Sequence, residues 1–320
     1  MAHFHIKKSF FIIIISLLLC LAIILCAVLP SETELYAVST VGGARFIKWV
    51  DFGVSYTAMK QALDYDLKSG GKYNWIELLA VSACKNGGKF QDKKCADIDK
   101  TAERLKNGET IESITSTLGY YGYYFDAYNA VLGGIVSGEG KKRNVCAFSP
   151  VARGFSYTHS DDFGVSRSYG FSRRHLGNDL MGSVGTPLVA VESGIVEQMG
   201  WNRYGGWRLG IRSFDGKRYY YYAHLRKGHP YVNGLKEGMQ VRAGDVIGYM
   251  GMTGYSDEED YNGMQKPHLH FGLELIFDES QKDSNNEIWI DVYDIVRLLS
   301  SYRSKVVKNS KENEWVRVLT

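Results

Sequence analysis

Cysteine is scarce outside one apolar stretch. Of five cysteines in 320 residues, Cys20 and Cys26 sit inside that stretch, leaving Cys84, Cys95 and Cys146. None of the three belongs to a CxxC pair, which excludes a cysteine-built zinc site. In an oxidising exterior Cys84 and Cys95 would close a short loop around GGKFQDKK, with Cys146 left over. Net charge is scarce too. A formal balance of +3 gives no basis for a nucleic-acid partner. Behind the apolar stretch there is no small-x-small cleavage site close by. Leu25 stands where lipid attachment at Cys26 would want a small residue.

The apolar stretch itself, Ser9 to Leu29, is uncharged and follows Lys7 and Lys8. About 20 apolar residues at roughly 1.5 Å each span a bilayer core. Lysines before the run favour a cytoplasmic N-terminus. Residues 1–30 are therefore expected to be a cytoplasmic stub and a transmembrane signal anchor. The C-terminal part would then lie outside the cytoplasm of a single-pass membrane protein; secretion after signal cleavage is the alternative. Residues 31–45 follow as a linker. Residues 46–137 carry a helical pattern: WIELLAVSACKNGG ends at a glycine pair, CADIDKTAERLKNG and ETIESITSTL flank Gly108, and YYGYYFDAYNAVLGGIV is rich in tyrosine. This helical domain is expected to hold the rest of the chain off the membrane or to meet an envelope protein. The basic, glycine-containing 138–155 reads as a second linker.

Beyond it the pattern changes. RLGIRSFDGKRYYYYAHL is a hairpin with Asp215-Gly216 at its turn, and LVAVESGIVEQMGW and MQVRAGDVIGYMGMTG are paired short strands. The 22 tyrosines and 35 glycines suit such a turn-rich sheet. The fold class is thus α+β: an anchor helix, an all-helical region, then an antiparallel β-rich domain over 156–300. IWIDVYDIVRLLSSYRSKV is read as its final helix, and 301–320 as a charged tail. In KPHLHFGLEL, His268 and His270 share one face of a strand while Leu269 and Phe271 share the other. His175 and Asp179 stand four apart in RRHLGNDLMG, and His224 ends the strand YYYYAHL. His159 and His229 sit in polar, loop-like context and are read as solvated.

RRHLGNDLMG, YYAHL, VRAGDVIGYMGMTG and PHLHFGLEL, in that order over Ser156 to Leu275, resemble the lysostaphin-type zinc metalloendopeptidases that cut peptidoglycan peptides. The resemblance implies that His175, Asp179 and His270 ligate Zn2+ and that His224 and His268 are the catalytic pair. It also implies an antiparallel sheet with a groove over the metal. Three protein ligands leave a fourth position for water, the catalytic pattern, and zinc lowers the pKa of such a water to about 7. Peptidoglycan peptides are the expected substrate. A catalytically silent wall-binding scaffold on the same fold is the alternative. DEEDYNGMQ, 257–265, is an acidic insertion where the family's sequence is shorter; it is expected to edge the groove and to select a basic or amidated peptide or gate access. No pro-segment with a blocking Asn ligand is evident.

Overall fold

The computed structural model describes residues 38–41, 44–47, 50–169, 171–282 and 286–319. Two compact units divide the chain after residue 49. In the first, β1 (Val38–Val41) and β2 (Ala44–Ile47) form an antiparallel hairpin with Val38 opposite Ile47. The apolar run 9–29 lies outside the described residues. No helix among the described residues is long and apolar enough to cross a membrane.

The second unit opens with α1 (Tyr56–Ser69), α2 (Trp75–Asn86), α3 (Ala96–Lys106), α4 (Ile111–Thr115) and α5 (Tyr121–Leu132). Caps set the boundaries. The Ser55 hydroxyl accepts from Ala58 N to start α1, and Asn74 does the same for Ile76 N in α2. Gly70 and Gly87, at φ 68° and 64°, end those helices in the left-handed conformation that suits glycine. α2 is apolar on most of its circumference and buries Trp75 through Ala83 save Glu77. It is accordingly the central helix, packed against α1, α3 and α5. The Asp66 carboxylate is buried at the end of α1 and takes both Arg143 Nε (2.6 Å) and Nη2 (2.8 Å).

That pair fastens the stretch read as a linker. Residues 136–145 form the ribbon β3 (Val136–Ser137) and β4 (Asn144–Val145). Val151 and Ala152 are buried, and Phe148 and Phe155 pack on the cluster of Ala152, Val189 and Val246. Cys84, Cys95 and Cys146 are free thiols, so the expected Cys84–Cys95 loop closure is not formed.

The β-rich part follows as β5 (Thr158–His159), β6 (Ser166–Tyr169), β7 (Phe171–Arg174), β8 (Asn178–Met181), β9 (Pro187–Val189), β10 (Gly194–Asn202), β11 (Gly206–Ser213), β12 (Arg218–Ala223), β13 (Gln240–Val241), β14 (Val246–Tyr249), β15 (His268–Leu275) and β16 (Ile288–Ile290). The principal sheet runs β13-β10-β11-β12-β15-β8-β5, with β16 also on β15, and its pairings are antiparallel. β14 and β9 form a second, small sheet. β6 and β7 form a separate hairpin.

Two expectations near the C-terminus are corrected. IWI is the strand β16, because Ile288 and Ile290 alternate into the core beside β15; the helix α6 (Tyr293–Leu299) begins only after it. The charged tail is a hairpin, β17 (Val306–Asn309) with β18 (Glu314–Arg317). Trp315 packs edge-on against Phe155 at 5.1 Å, and the Glu314 carboxylate is buried against the Tyr249 hydroxyl.

Helices and sheet meet through charge as well as packing. On β12, buried Arg218 donates to Glu192 (2.7 and 3.1 Å) and to the Ala130 carbonyl of α5 (2.8 Å). The Tyr220 hydroxyl donates to the same carboxylate at 2.8 Å. Removing one member of a buried pair leaves the other charge uncompensated, at a cost of about 3–5 kcal/mol. Arg218→Met is therefore expected to lower stability by about that amount. A urea-unfolding midpoint within error of the parent would refute the coupling.

Candidate metal centre and groove

The site is assembled by register. On β15, Leu269, Phe271, Leu273 and Leu275 are buried in the core, so His268 and His270 face the other way. His270 pairs with Asp179 on β8 on one side and with Ala223 on β12 on the other. His175 precedes β8 by a short turn through Gly177. A Cβ at Gly177 would stand 2.6 Å from the Phe271 carbonyl and 2.9 Å from the His270 ring, so only glycine lets the turn pass this close.

Three donor atoms converge. His175 Nε2 lies 2.8 Å from His270 Nδ1 and 3.1 Å from Asp179 Oδ1, and His270 Nδ1 lies 3.3 Å from Asp179 Oδ1. These residues form a group able to hold a metal ion. Tetrahedral zinc with ligands at about 2.0–2.2 Å needs neighbouring donors about 3.3–3.5 Å apart, close to what is observed. Two imidazoles and one carboxylate are a zinc donor set. The surroundings fit as well. His175 Nδ1 donates to the Asp162 carbonyl at 3.0 Å, so Nε2 is the atom the ring would offer to a metal on losing a proton, the usual arrangement for a ligating histidine. Arg167 Nη2 holds Asp179 Oδ2 at 2.9 Å and Asp162 Oδ2 at 2.7 Å, leaving Asp179 Oδ1 to face the imidazoles.

His224 and His268 stand beside this group, their rings 4.7 Å apart. His224 Nδ1 donates to the Thr253 carbonyl (2.8 Å) and His268 Nδ1 to the Lys266 carbonyl (2.9 Å). Nδ1 of each ring is thus engaged by the backbone, leaving Nε2 for the groove side; that of His268 lies 3.8 Å from Asp179 Oδ1. His224 adopts φ 60°, a conformation costing a non-glycine residue about 1–3 kcal/mol. Its amide is held by the Gly205 carbonyl at 2.7 Å.

The electrostatics separate the members. Burial works against ionised Asp179, but hydrogen bonds from His175 and His270 win and hold its carboxyl far below the usual range. Burial also opposes protonated His175, yet its bonds to Asp162 and Asp179 push it up to about 9. Burial, reinforced by His268 and His270, drives His224 well below an ordinary histidine. His270 is lowered chiefly by burial.

All five residues singled out in the sequence thus meet in one place. His159 and His229 do not join them, nor are they merely solvated. His159 lies against Tyr293 with ring centroids 4.8 Å apart. His229 stacks on Tyr249 (5.1 Å) and contacts Glu314 (3.1 Å). Asp162 and Arg167 were missed, because no spacing ties them to the histidines in the linear chain.

A groove of about 700 Å³ runs from this group along the sheet face, lined among others by Tyr219, Tyr221, Trp289, Tyr204, Tyr255 and Met264. The acidic insertion edges it through Met264 alone. Asp260 accepts from Trp207 Nε1 (2.7 Å) and Gly228 N (2.8 Å), and Asp257 faces Arg203 at 3.3 Å. None of the insertion's carboxylates lines the groove.

Comparison with known proteins agrees with this geometry. Residues 173–284 match the model of peptidase family M23. The L-Ala–D-Glu endopeptidase of Bacillus subtilis (strain 168) is 36% identical over 147 residues, 46% of this chain and 41% of that protein. Lysostaphin of Staphylococcus simulans is 39% identical over 98 residues, 30% of this chain and 17% of that protein. The chain thus spans about two-fifths or less of these curated relatives. A crystal structure from Ruminococcus gnavus ATCC 29149, described as a candidate glycyl-glycine endopeptidase, shares the fold. It has a TM-score of 0.56 at 24% identity, covering 81% of this chain and 93% of that one. The chain carries a peptidase family M23 domain, homologous to that L-Ala–D-Glu endopeptidase and to lysostaphin.

Proposed function

We propose that this chain is a zinc-dependent endopeptidase that hydrolyses peptide bonds in peptidoglycan stem peptides or cross-links. The observation that carries the reading is the convergence of His175, Asp179 and His270 beside two further histidines whose Nδ1 atoms are tied to backbone carbonyls, in an open groove. The activity named for the Bacillus subtilis relative, on L-Ala–D-Glu bonds, and this chain's likeness to lysostaphin support peptidoglycan as the substrate class. The apolar run 9–29 supports a place outside the cytoplasmic membrane, tethered by that run.

His175 Nε2, Asp179 Oδ1 and His270 Nδ1 would hold the ion. Zinc bound there supplies Lewis acidity toward a carbonyl and a water. The chain's own part is proton handling and orientation. His224 and His268, with Nδ1 tied to carbonyls, present Nε2 to the groove: unprotonated it accepts a proton from the attacking water, and only when protonated does it donate to the developing oxyanion. Asp162 and Arg167 keep His175 and Asp179 in ligating orientation.

Three outcomes are expected of the purified chain. It should contain about one zinc by atomic emission and release soluble peptides from peptidoglycan, and His270→Ala should lose both. Zinc bound without peptide release would instead favour a wall-binding scaffold. His224→Ala should retain the metal while kcat falls by about 10²–10⁴; loss of zinc in that variant would make His224 a ligand and overturn its assignment. Asp162→Ala keeps the backbone carbonyl but removes the carboxylate that faces His175 Nδ1 at 3.3 Å and holds Arg167; it should weaken zinc affinity about 10–100-fold, measured by competition with a chelating dye.

A further inference from the structure

Largely buried arginines elsewhere in this unit face carboxylates: Arg143 faces Asp66, Arg212 faces Glu197, and Arg218 faces Glu192. Desolvating a guanidinium without such a partner is costly. Arg303 has no carboxylate but is satisfied by the carbonyls of Val151, Ala152 and Phe155. Two arginines of the groove wall have neither a carboxylate nor such a set of carbonyls. Arg208 makes no ion pair among the described residues, and its Nε is buried without a hydrogen-bond partner. The Arg173 guanidinium is clamped between the rings of Tyr204 (4.7 Å) and Tyr255 (5.2 Å) and donates to the Tyr255 hydroxyl at 2.7 Å. It too meets no carboxylate among the described residues.

Their position is specific. Leu209 pairs with Tyr222, so Arg208 lies one step further along β11, level with Ala223; Ala223 pairs with His270, and His270 with Asp179. Strands about 4.8 Å apart place Arg208 roughly 10 Å from the ligand His270, across the groove floor. The Tyr221 ring stands between, 5.8 Å from that of His270. A Cβ on Gly205 would come within 2.5 Å of the Tyr221 hydroxyl, so the glycine makes room for it. The Arg208 guanidinium and the Asn202 side chain hydrogen-bond the Tyr221 hydroxyl, with the Arg173 charge nearby.

The remaining charges of the groove are placed differently. Lys282 is engaged by Glu197, and Glu287 accepts from Trp289 Nε1. Glu274 lies four residues along β15 from His270, about 13 Å away. Arg174 is exposed on the metal side. The wall nearest the metal ligands is thus cationic.

We infer that Arg208 and Arg173, with the Tyr221 hydroxyl, form a carboxylate-binding subsite beside the metal ligands, so that the chain prefers peptides bearing a free carboxylate next to the scissile bond. The subsite rests on the hydrolase reading above and names its substrate class. A carboxylate seated there supplies the counter-charge that Arg208 lacks, through charge-assisted hydrogen bonds. An amide or a glycine cannot.

The test uses the zinc-loaded full chain and three peptides: a stem tetrapeptide with the D-glutamate α-carboxylate free, the same peptide with that group amidated, and pentaglycine. Dissociation constants are read by calorimetry on His224→Ala, and kcat/KM on the parent. The free carboxylate should improve affinity by at least about tenfold over the amide. Arg208→Gln in the same background should bring that ratio close to one, and Arg208→Lys should restore part of it. A merely structural arginine would weaken both stem peptides alike. Equal affinity of His224→Ala for both stem peptides, tighter binding of pentaglycine, or no binding of any peptide would overturn the subsite. Preferential binding without cleavage would uphold the subsite and sink the hydrolase reading instead.

Discussion

The pairing of β15 between β8 and β12 is the constraint on which the rest depends. His270 meets Asp179 only because it is the residue opposite it in an antiparallel ladder. Slipping that ladder by one residue would turn every side chain of β15 to the other face. Leu269 and Phe271 would then face the groove, and both histidines would enter the core. The four apolar residues that alternate with the histidines therefore set the position of the site, since exposing them would forfeit roughly 1.5–3 kcal/mol each. The precision that a metal needs is inherited from core packing.

Register brings the donors together but does not orient them. A carboxylate and two imidazoles at about 3 Å can satisfy one another in several rotamers. Selection comes from backbone carbonyls and one arginine. The Asp162 carbonyl takes the His175 Nδ1 proton, and Arg167 occupies the second oxygen of Asp179. The Thr253 and Lys266 carbonyls do the same for His224 and His268. His224 carries the cost of a left-handed backbone, a strain of the kind found where a side chain must be aimed.

What could be read from the sequence follows the range of each interaction. The period of two in HLHFGLEL is local, so a shared face for His268 and His270 was legible, and the Asp215-Gly216 turn was equally plain. The apolar circumference of α2 marked it as a helix. Asp162 and Arg167 were invisible because they reach the ligands through the fold. The linker and the tail were misjudged for a related reason. The value of Phe148, Phe155 and Trp315 comes from packing on a cluster that joins Ala152 to the distant Val189 and Val246, which no one window of the sequence contains. IWI was absorbed into the following helix because three residues carry too little periodicity to separate a strand from a helix start.

The two faces of β12 show what the helical region does for the site. Tyr219, Tyr221 and Ala223 line the groove. Arg218, Tyr220 and Tyr222 point to the opposite side, where Tyr220 and Arg218 meet Glu192, and Arg218 reaches the end of α5. Gly134, just after α5, closes on the same carboxylate so tightly that a Cβ would stand 2.1 Å from it. α6 adds a second fastening: Arg297 lies 4.7 Å from the Tyr56 ring of α1 and 3.2 Å from Asp92. The helices thus bear on the back of the strand that carries the groove floor, while the groove stays open on the other face. A layer fastened there resists shearing of β12 against β15, and that shear is the motion that would separate His270 from the row it shares with Ala223 and Asp179. Bracing the register is therefore a role the helical layer performs through contacts already in place, whatever else it touches.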